Sequence, residues 1–193
     1  RNFLTDKRRS SQQGGKVFSF HQKVFQKVFL FHIDHRDKYE GGKRMNIQKF
    51  TQKSVEAIND CEKLAYEYGN QEIEQEHLLV ALLRQEDGLI PKLIEKMEIQ
   101  KQHFADNARR KLEARVKVSG GQVYVGQNLN KVLIHAEDEA KQMGDEYVSV
   151  EHLFLALIKY PNQAMKELFK EYGITRERFL QSLSTVRGNQ RVT

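Results

Sequence analysis

Cysteine occurs once and proline twice in the 193 residues. No apolar run approaches the roughly 20 residues needed to cross a bilayer. The single thiol, Cys61, excludes a disulfide framework within the chain and fits a reducing compartment. Pro91 and Pro161 both fall near the expected start of a helix, where proline is tolerated. A cleavable signal pattern is missing. So is a phosphate loop: Gly120-Gly121-Gln122-Val123-Tyr124-Val125-Gly126 runs into Gln127, without the Lys-Ser/Thr pair that meets phosphate and magnesium. Strand-forming sequence is thin, and Gln122-Val123-Tyr124-Val125 reads as a short extended stretch at most.

The formal charge of +6 suggests nucleic acid or an anionic membrane as partner. Its distribution removes that reading. Residues 1–44 hold 11 Lys/Arg against 4 Asp/Glu, and the remainder holds 21 against 22. The basic excess belongs to the leading stretch, so no nucleic-acid or membrane partner is expected. The chain begins with Arg1 and its first methionine is Met45. Glu40-Gly41-Gly42 can be encoded by a purine-rich, ribosome-binding type of sequence just ahead of Met45. The expectation is therefore that residues 1–44 are a non-native or disordered leader and that the native protein starts at Met45. A basic targeting peptide is the rival reading. The remainder reads as a cytoplasmic domain of about 145 residues, long enough for a real core. Its expected span is 45–188, with 189–193 starting a linker.

A helical unit occurs twice in that domain, 75 residues apart and without a gap. Aligning Phe50–Ala108 with Val125–Leu183 gives 12 identities in 59 pairs. The densest match sets Glu76-His77-Leu78-Leu79-Val80-Ala81-Leu82-Leu83 against Glu151-His152-Leu153-Phe154-Leu155-Ala156-Leu157-Ile158. Ala65/Ala140, Gly69/Gly144, Leu93/Leu168, Ile99/Ile174 and Phe104/Phe179 keep the same offset. Identities spread over several helical segments indicate a duplicated structural unit.

Each copy, about 50–115 and about 125–187, reads as four helices. Thr51 is an N-cap for the first, and Val55, Ile58, Cys61, Ala65 and Tyr68 recur at helical spacing. Gly69 and Gly144 end the first helices as left-handed C′ residues. The second helices, Glu76–Arg84 and Glu151–Tyr160, are apolar almost all round and should be buried. Ser149 caps the second of these. The third carry Leu89, Ile90, Leu93, Ile94 and Met97, or Met165, Leu168, Phe169 and Tyr172. The fourth run from about Lys101 to Arg115 and from Thr175 to Arg187. Val116–Gly126 reads as a flexible link. The predicted fold is all-α: eight helices in two pseudo-symmetric four-helix repeats.

Phe50-Thr51-Gln52 opening a helix, then Gly69, then Glu76 to Leu83, with the set repeated, resembles the Clp N-terminal domain. This module precedes the ATPase rings of Clp-type unfoldases. Within that family the chain looks most similar to the ClpB disaggregase type. Met45–Phe50, the Gln85-Glu86-Asp87-Gly88-Leu89 turn and Gly120-Gly121 before Gln127-Asn128-Leu129 carry that likeness. The resemblance implies a binding module that is not itself an enzyme. It would engage exposed segments of misfolded or aggregated protein, monomeric as an isolated domain and hexameric in the parent protein. ATP and magnesium would belong to the parent's ATPase modules, leaving no cofactor in this chain. The alternative is an adaptor- or modified-substrate-docking N-domain of a ClpC/ClpA-type, protease-linked unfoldase.

The resemblance also implies a substrate-binding role for Thr51, Asp145 and Glu151, and for Glu76 at the position matching Glu151. Capping and the helix dipole account for Thr51, Glu76 and Glu151 without it. Alanine at Thr51, Asp145 or Glu151 is expected to lower capture of aggregated protein while leaving thermal stability almost unchanged. Where the copies differ, at Thr51 against Gly126 and Asn70 against Asp145, an asymmetric site is expected. His77 and His152 read as structural histidines, since nothing nearby completes a metal ligand set. Glu-His acid–base pairs are disfavoured because adjacent helix residues diverge. Tyr66, Tyr68, Tyr147, Phe154 and Phe169 are expected mostly in the core, with an apolar groove between the halves.

Overall fold

The computed structural model describes residues 45–188 and 192–193, so the expectations for residues 1–44 lie outside the described residues. The eight expected helices form. A 3-10 turn, Ile47–Lys49, leads into α1 (Gln52–Tyr68), β1 (Glu72–Ile73), α2 (Gln75–Arg84), α3 (Leu89–Lys96) and α4 (Lys101–Glu113). The second copy follows as β2 (Tyr124–Val125), α5 (Gln127–Gln142), α6 (Val150–Lys159), α7 (Gln163–Glu171) and α8 (Arg176–Arg187). Among the described residues no helix is long and apolar enough to cross a membrane.

Local chemistry sets the helix limits. Thr51 accepts the Ser54 N–H to start α1, and Gly69 stops it with a φ of 69°. Gly144 stands equivalently after α5, with a φ of 72°. α1 buries Ala57, Ile58, Cys61, Leu64 and Ala65 on one face. Cys61 is a small buried side chain whose Sγ donates to the Ala57 carbonyl, and burial pushes its thiol far above the usual range. α2 and α6 are buried for most of their length, from Glu76 to Leu82 and from Glu151 to Leu157. They are the centre of the molecule, as their apolar circumference requires. Phe154 stacks on Phe179 at 4.7 Å and leans on Phe169 at 5.6 Å.

The two copies interlock. α3 packs on α6 and α8 of the other copy, and α7 packs on α2 and α4. The extended links cross as well. Ile73 pairs in parallel with Val125, and Phe50 bridges in parallel to Val148. Adding 75 to Phe50 and Ile73 gives Val125 and Val148, so each copy lends its entry residue to the link of the other. The extended stretch expected near Gln122–Val125 is therefore real at Tyr124–Val125, and its partner is in the first copy. The Val116–Gly126 connection is pinned at several points, since Val118 N–H donates to Gly69 O at 2.9 Å and Tyr124 N–H to Gln71 O at 2.9 Å.

Two aromatic expectations need correction. Tyr66 is 56% exposed and Tyr147 36% exposed, so among the described residues neither belongs to the core. Phe154 and Phe169 are buried as expected.

Candidate functional site

The short link between the first and second helix of each copy carries most of the buried polar chemistry. In the first copy His77 Nδ1 accepts the Glu74 N–H at 2.9 Å, and Nε2 lies 3.0 Å from Asn70 Oδ1. In the second, His152 Nδ1 accepts the Ser149 N–H at 2.9 Å and Nε2 lies 2.7 Å from Asp145 Oδ2. A nitrogen that accepts a backbone N–H carries no proton, so each ring is neutral with its hydrogen on Nε2. Burial pushes His77 down to about 4, and Arg115 pushes the same way. Burial also lowers His152, against the opposing charges of Glu151 and Asp145. Each imidazole ties the start of a buried helix to the link before it, with both nitrogens engaged.

The glutamates that open these helices have other partners. Glu76 Oε2 accepts from Arg115 Nη1 at 3.1 Å and from Asn162 Nδ2 at 3.1 Å, while Arg115 Nη2 reaches Glu72 at 3.1 Å. Glu151 lies 3.5 Å from Arg187 Nη1, and the same guanidinium holds Asp145 Oδ1. In both copies an arginine at the close of the fourth helix clamps the glutamate at the start of the second. Glu76 and His77, like Glu151 and His152, address separate partners and do not form acid–base pairs.

Asp145 is buried and fully bonded. Oδ1 takes Arg187 and the Val192 N–H, the latter at 2.8 Å, and Oδ2 takes His152. Burial alone would raise its carboxyl, but hydrogen bonds from Arg187, Val192 and His152 hold it below the usual range. Alanine here would leave several donors unsatisfied, so the expectation of unchanged stability does not fit Asp145.

Thr51, Asp145 and Glu151 converge on one link. Thr51 N–H donates to Val148 O at 2.9 Å, and Asp145 and Glu151 flank that residue and share Arg187. Glu76 stands apart from them, at the pseudo-symmetric position. It lines a groove of about 660 Å3 with Glu72, Lys111, Arg115, Val116 and Tyr124 among its walls. The groove expected to be apolar is thus mixed, with ion-paired residues on the sides that α2 and α4 contribute.

Sequence reasoning missed Arg115, Arg187, Val192 and Glu74. Glu74 supplies the cap that Gly126 cannot: its Oε1 accepts the Asn128 N–H of α5 at 3.1 Å, and Oε2 accepts the Gln75 N–H at 3.1 Å. One signal was present in the aligned copies, where Glu74 faces Ser149 just as Gly126 faces Thr51. Nothing marked Val192.

Comparison with known proteins agrees with this architecture. The family model of the Clp repeat (R) N-terminal domain matches residues 49–172. The chaperone protein ClpB of Nitratidesulfovibrio vulgaris is 44% identical over 155 residues, covering 77% of this chain and 18% of that protein. The chain therefore spans less than a fifth of that relative. The Hsp104 N-terminal domain from Candida albicans superposes with a TM-score of 0.66 at 24% identity, over 75% of this chain and 95% of the other. A ClpV N-domain in complex with a VipB peptide gives a TM-score of 0.62 at 18% identity, over 82% and 99%. The repeat, the interlocked helices and the family match agree: the chain belongs to the Clp repeat N-terminal domain family.

Proposed function

We propose that this chain is the substrate-engaging N-terminal domain of a ClpB-type disaggregase, which holds extended segments of misfolded or aggregated protein around Thr51, Asp145 and Glu151. The observation that carries this reading is a backbone N–H and carbonyl of this chain already seated there. Val192 gives its N–H to Asp145, and its carbonyl accepts from Glu146 N–H at 2.9 Å and Tyr147 N–H at 3.3 Å. Every polypeptide offers such groups, so a receptor of this kind binds with little sequence preference. Exposed Tyr147 beside it adds apolar surface of the type unfolded chains seek.

Likeness to ClpB supports the parent's identity, and the peptide bound to a ClpV N-domain supports a peptide-binding role for this fold. In the parent protein, ATP and magnesium would serve the ATPase modules. A hexamer would multiply a weak site through high local concentration.

The test uses the full chain and reduced, carboxymethylated lactalbumin as a permanently unfolded, fluorescently labelled probe. Weak binding is expected by fluorescence anisotropy, with Asp145→Asn and Glu151→Gln each lowering affinity about fivefold, the worth of one hydrogen bond. Circular dichroism confirms that the variants remain folded. Folded variants that bind the probe as well as the parent chain would refute the site.

A further inference from the structure

Asn70 and Asp145 grip equivalent peptide links from opposite sides. Asn70 Nδ2 donates to the Val116 carbonyl at 3.0 Å, and Asp145 Oδ1 accepts the Val192 N–H at 2.8 Å. The link that follows Val116 and the link that precedes Val192 stand 75 residues apart, in the register of the repeat. The first copy bonds that link through its carbonyl, so it needs a donor and has an amide. The second bonds it through its N–H, so it needs an acceptor and has a carboxylate. The Asn70/Asp145 difference thus matches the change in what is held. The repeated unit also extends beyond its fourth helix to the segment behind it.

The two segments are held through different groups. The first continues into β2, where Tyr124 and Val125 pair with β1. Its Val118 N–H is bonded to Gly69 O at 2.9 Å. Val192 is held through its own N–H and carbonyl, groups that any extended polypeptide presents equally well. Arg187 bonds the same Asp145 oxygen, so the carboxylate keeps a cationic partner if Val192 leaves.

We infer that the Val192 segment is an intramolecular competitor for the Asp145 site, docked when the site is empty of substrate and displaced when an extended substrate segment enters. This rests on the substrate-binding reading given above. A competitor carried on the same chain acts at roughly millimolar effective concentration, enough to mask a weak site and to favour multivalent substrates over single segments. The domain would then engage aggregates, which present many segments close together, more readily than a lone unfolded chain.

Val192→Pro in the full chain removes the N–H that Asp145 accepts and should free the site. The labelled, carboxymethylated lactalbumin should then bind about threefold to tenfold more tightly than it binds the parent chain. In the parent chain, hydrogen exchange at the Val192 amide should accelerate when saturating lactalbumin is added. Unchanged or weaker binding by Val192→Pro, or a Val192 amide indifferent to the probe, would overturn the competition. Glu151→Gln, which leaves the Val192 bonds to Asp145, Glu146 and Tyr147 in place, separates the two ideas. If it leaves binding unaltered, the substrate site itself fails. If it weakens binding while Val192→Pro does not strengthen it, only the competition fails.

Discussion

The carboxylate of Glu74, in the first repeat, fills the space that a side chain on Gly126, in the second, would need. A Cβ at position 126 would lie 2.7 Å from the Glu74 carboxyl carbon and 2.8 Å from a Glu72 oxygen. The φ of Gly126 is −71°, which any residue adopts, so glycine stands there for room alone. Across the pseudo-twofold the pair is exchanged for a short Ser149 and a self-capping Thr51. The Thr51/Gly126 difference between the copies therefore has a packing cause, independent of any ligand.

Gly126→Thr alone should cost about 2–3 kcal/mol through overpacking. Combined with Glu74→Ser, which copies the other repeat, it should recover most of that loss. A double-mutant cycle by urea denaturation measures the coupling, expected at about 1 kcal/mol or more. Simple addition of the two single effects would refute the exchange.

Gln75 ties the copies together. Its amide donates to Tyr160 O at 2.7 Å and Asn128 O at 3.1 Å, and its oxygen accepts the Asn162 N–H at 2.8 Å. Gln75→Val installs the residue found in the second copy and leaves those three backbone groups without their partner. The expected loss is about 3 kcal/mol at unchanged denaturant slope. A loss below about 0.5 kcal/mol, as at an ordinary surface position, would show that the bridge contributes nothing.

Glu98 closes α3 with a φ of 59°, where its counterpart Gly173 has 62°. A left-handed glutamate costs about 1 kcal/mol that glycine avoids. Glu98→Gly should raise the melting temperature by about 2–4 °C, and Gly173→Ala should lower it by a similar amount. A Glu98→Gly variant that melts lower than the parent chain would contradict this account.

Glu74 and His77 make opposing contributions to stability with pH. Burial raises Glu74 to about 7, against the two backbone N–H bonds it accepts, with Glu72 and Glu76 adding to the rise. Its folded value exceeds its unfolded one, so its contribution is present in full below about pH 4.5 and is lost as pH climbs through about 7. His77 is lowered to about 4, so its contribution is present above about pH 6.5 and is lost as pH falls through about 4. The two partly offset one another between those limits. Glu74→Gln should therefore steepen the loss of stability on acidification, measured by urea denaturation at several pH values. A pH profile identical to that of the parent chain would refute the assignment.

Most of the helices were legible because their rules are local. Thr51, Ser149 and Thr175 cap helices within a few residues of themselves, and Gly69, Gly144 and Gly173 stop them by backbone conformation. The apolar circumference of α2 and α6 foretold their burial. Tyr66 and Tyr147 were misjudged because periodicity names a face without saying what covers it. The site residues were partly legible: Asn70/Asp145 and Thr51/Gly126 stood out as broken symmetry, yet their causes lie far along the chain, at Val192 and Glu74.

The 75-residue duplication by itself determined eight helices, their limits and a pseudo-twofold arrangement, since each follows from short-range spacing and from copying. Only the tertiary structure decided that the copies exchange their entry residues, that Arg115 and Arg187 clamp the glutamates, and that Val192 rests on Asp145. Those contacts join residues tens of positions apart. They form when two apolar centres, α2 and α6, bury against their neighbours and bring the links together. Periodicity records which side of a helix is apolar, and the packing of one copy against the other selects the polar groups that meet.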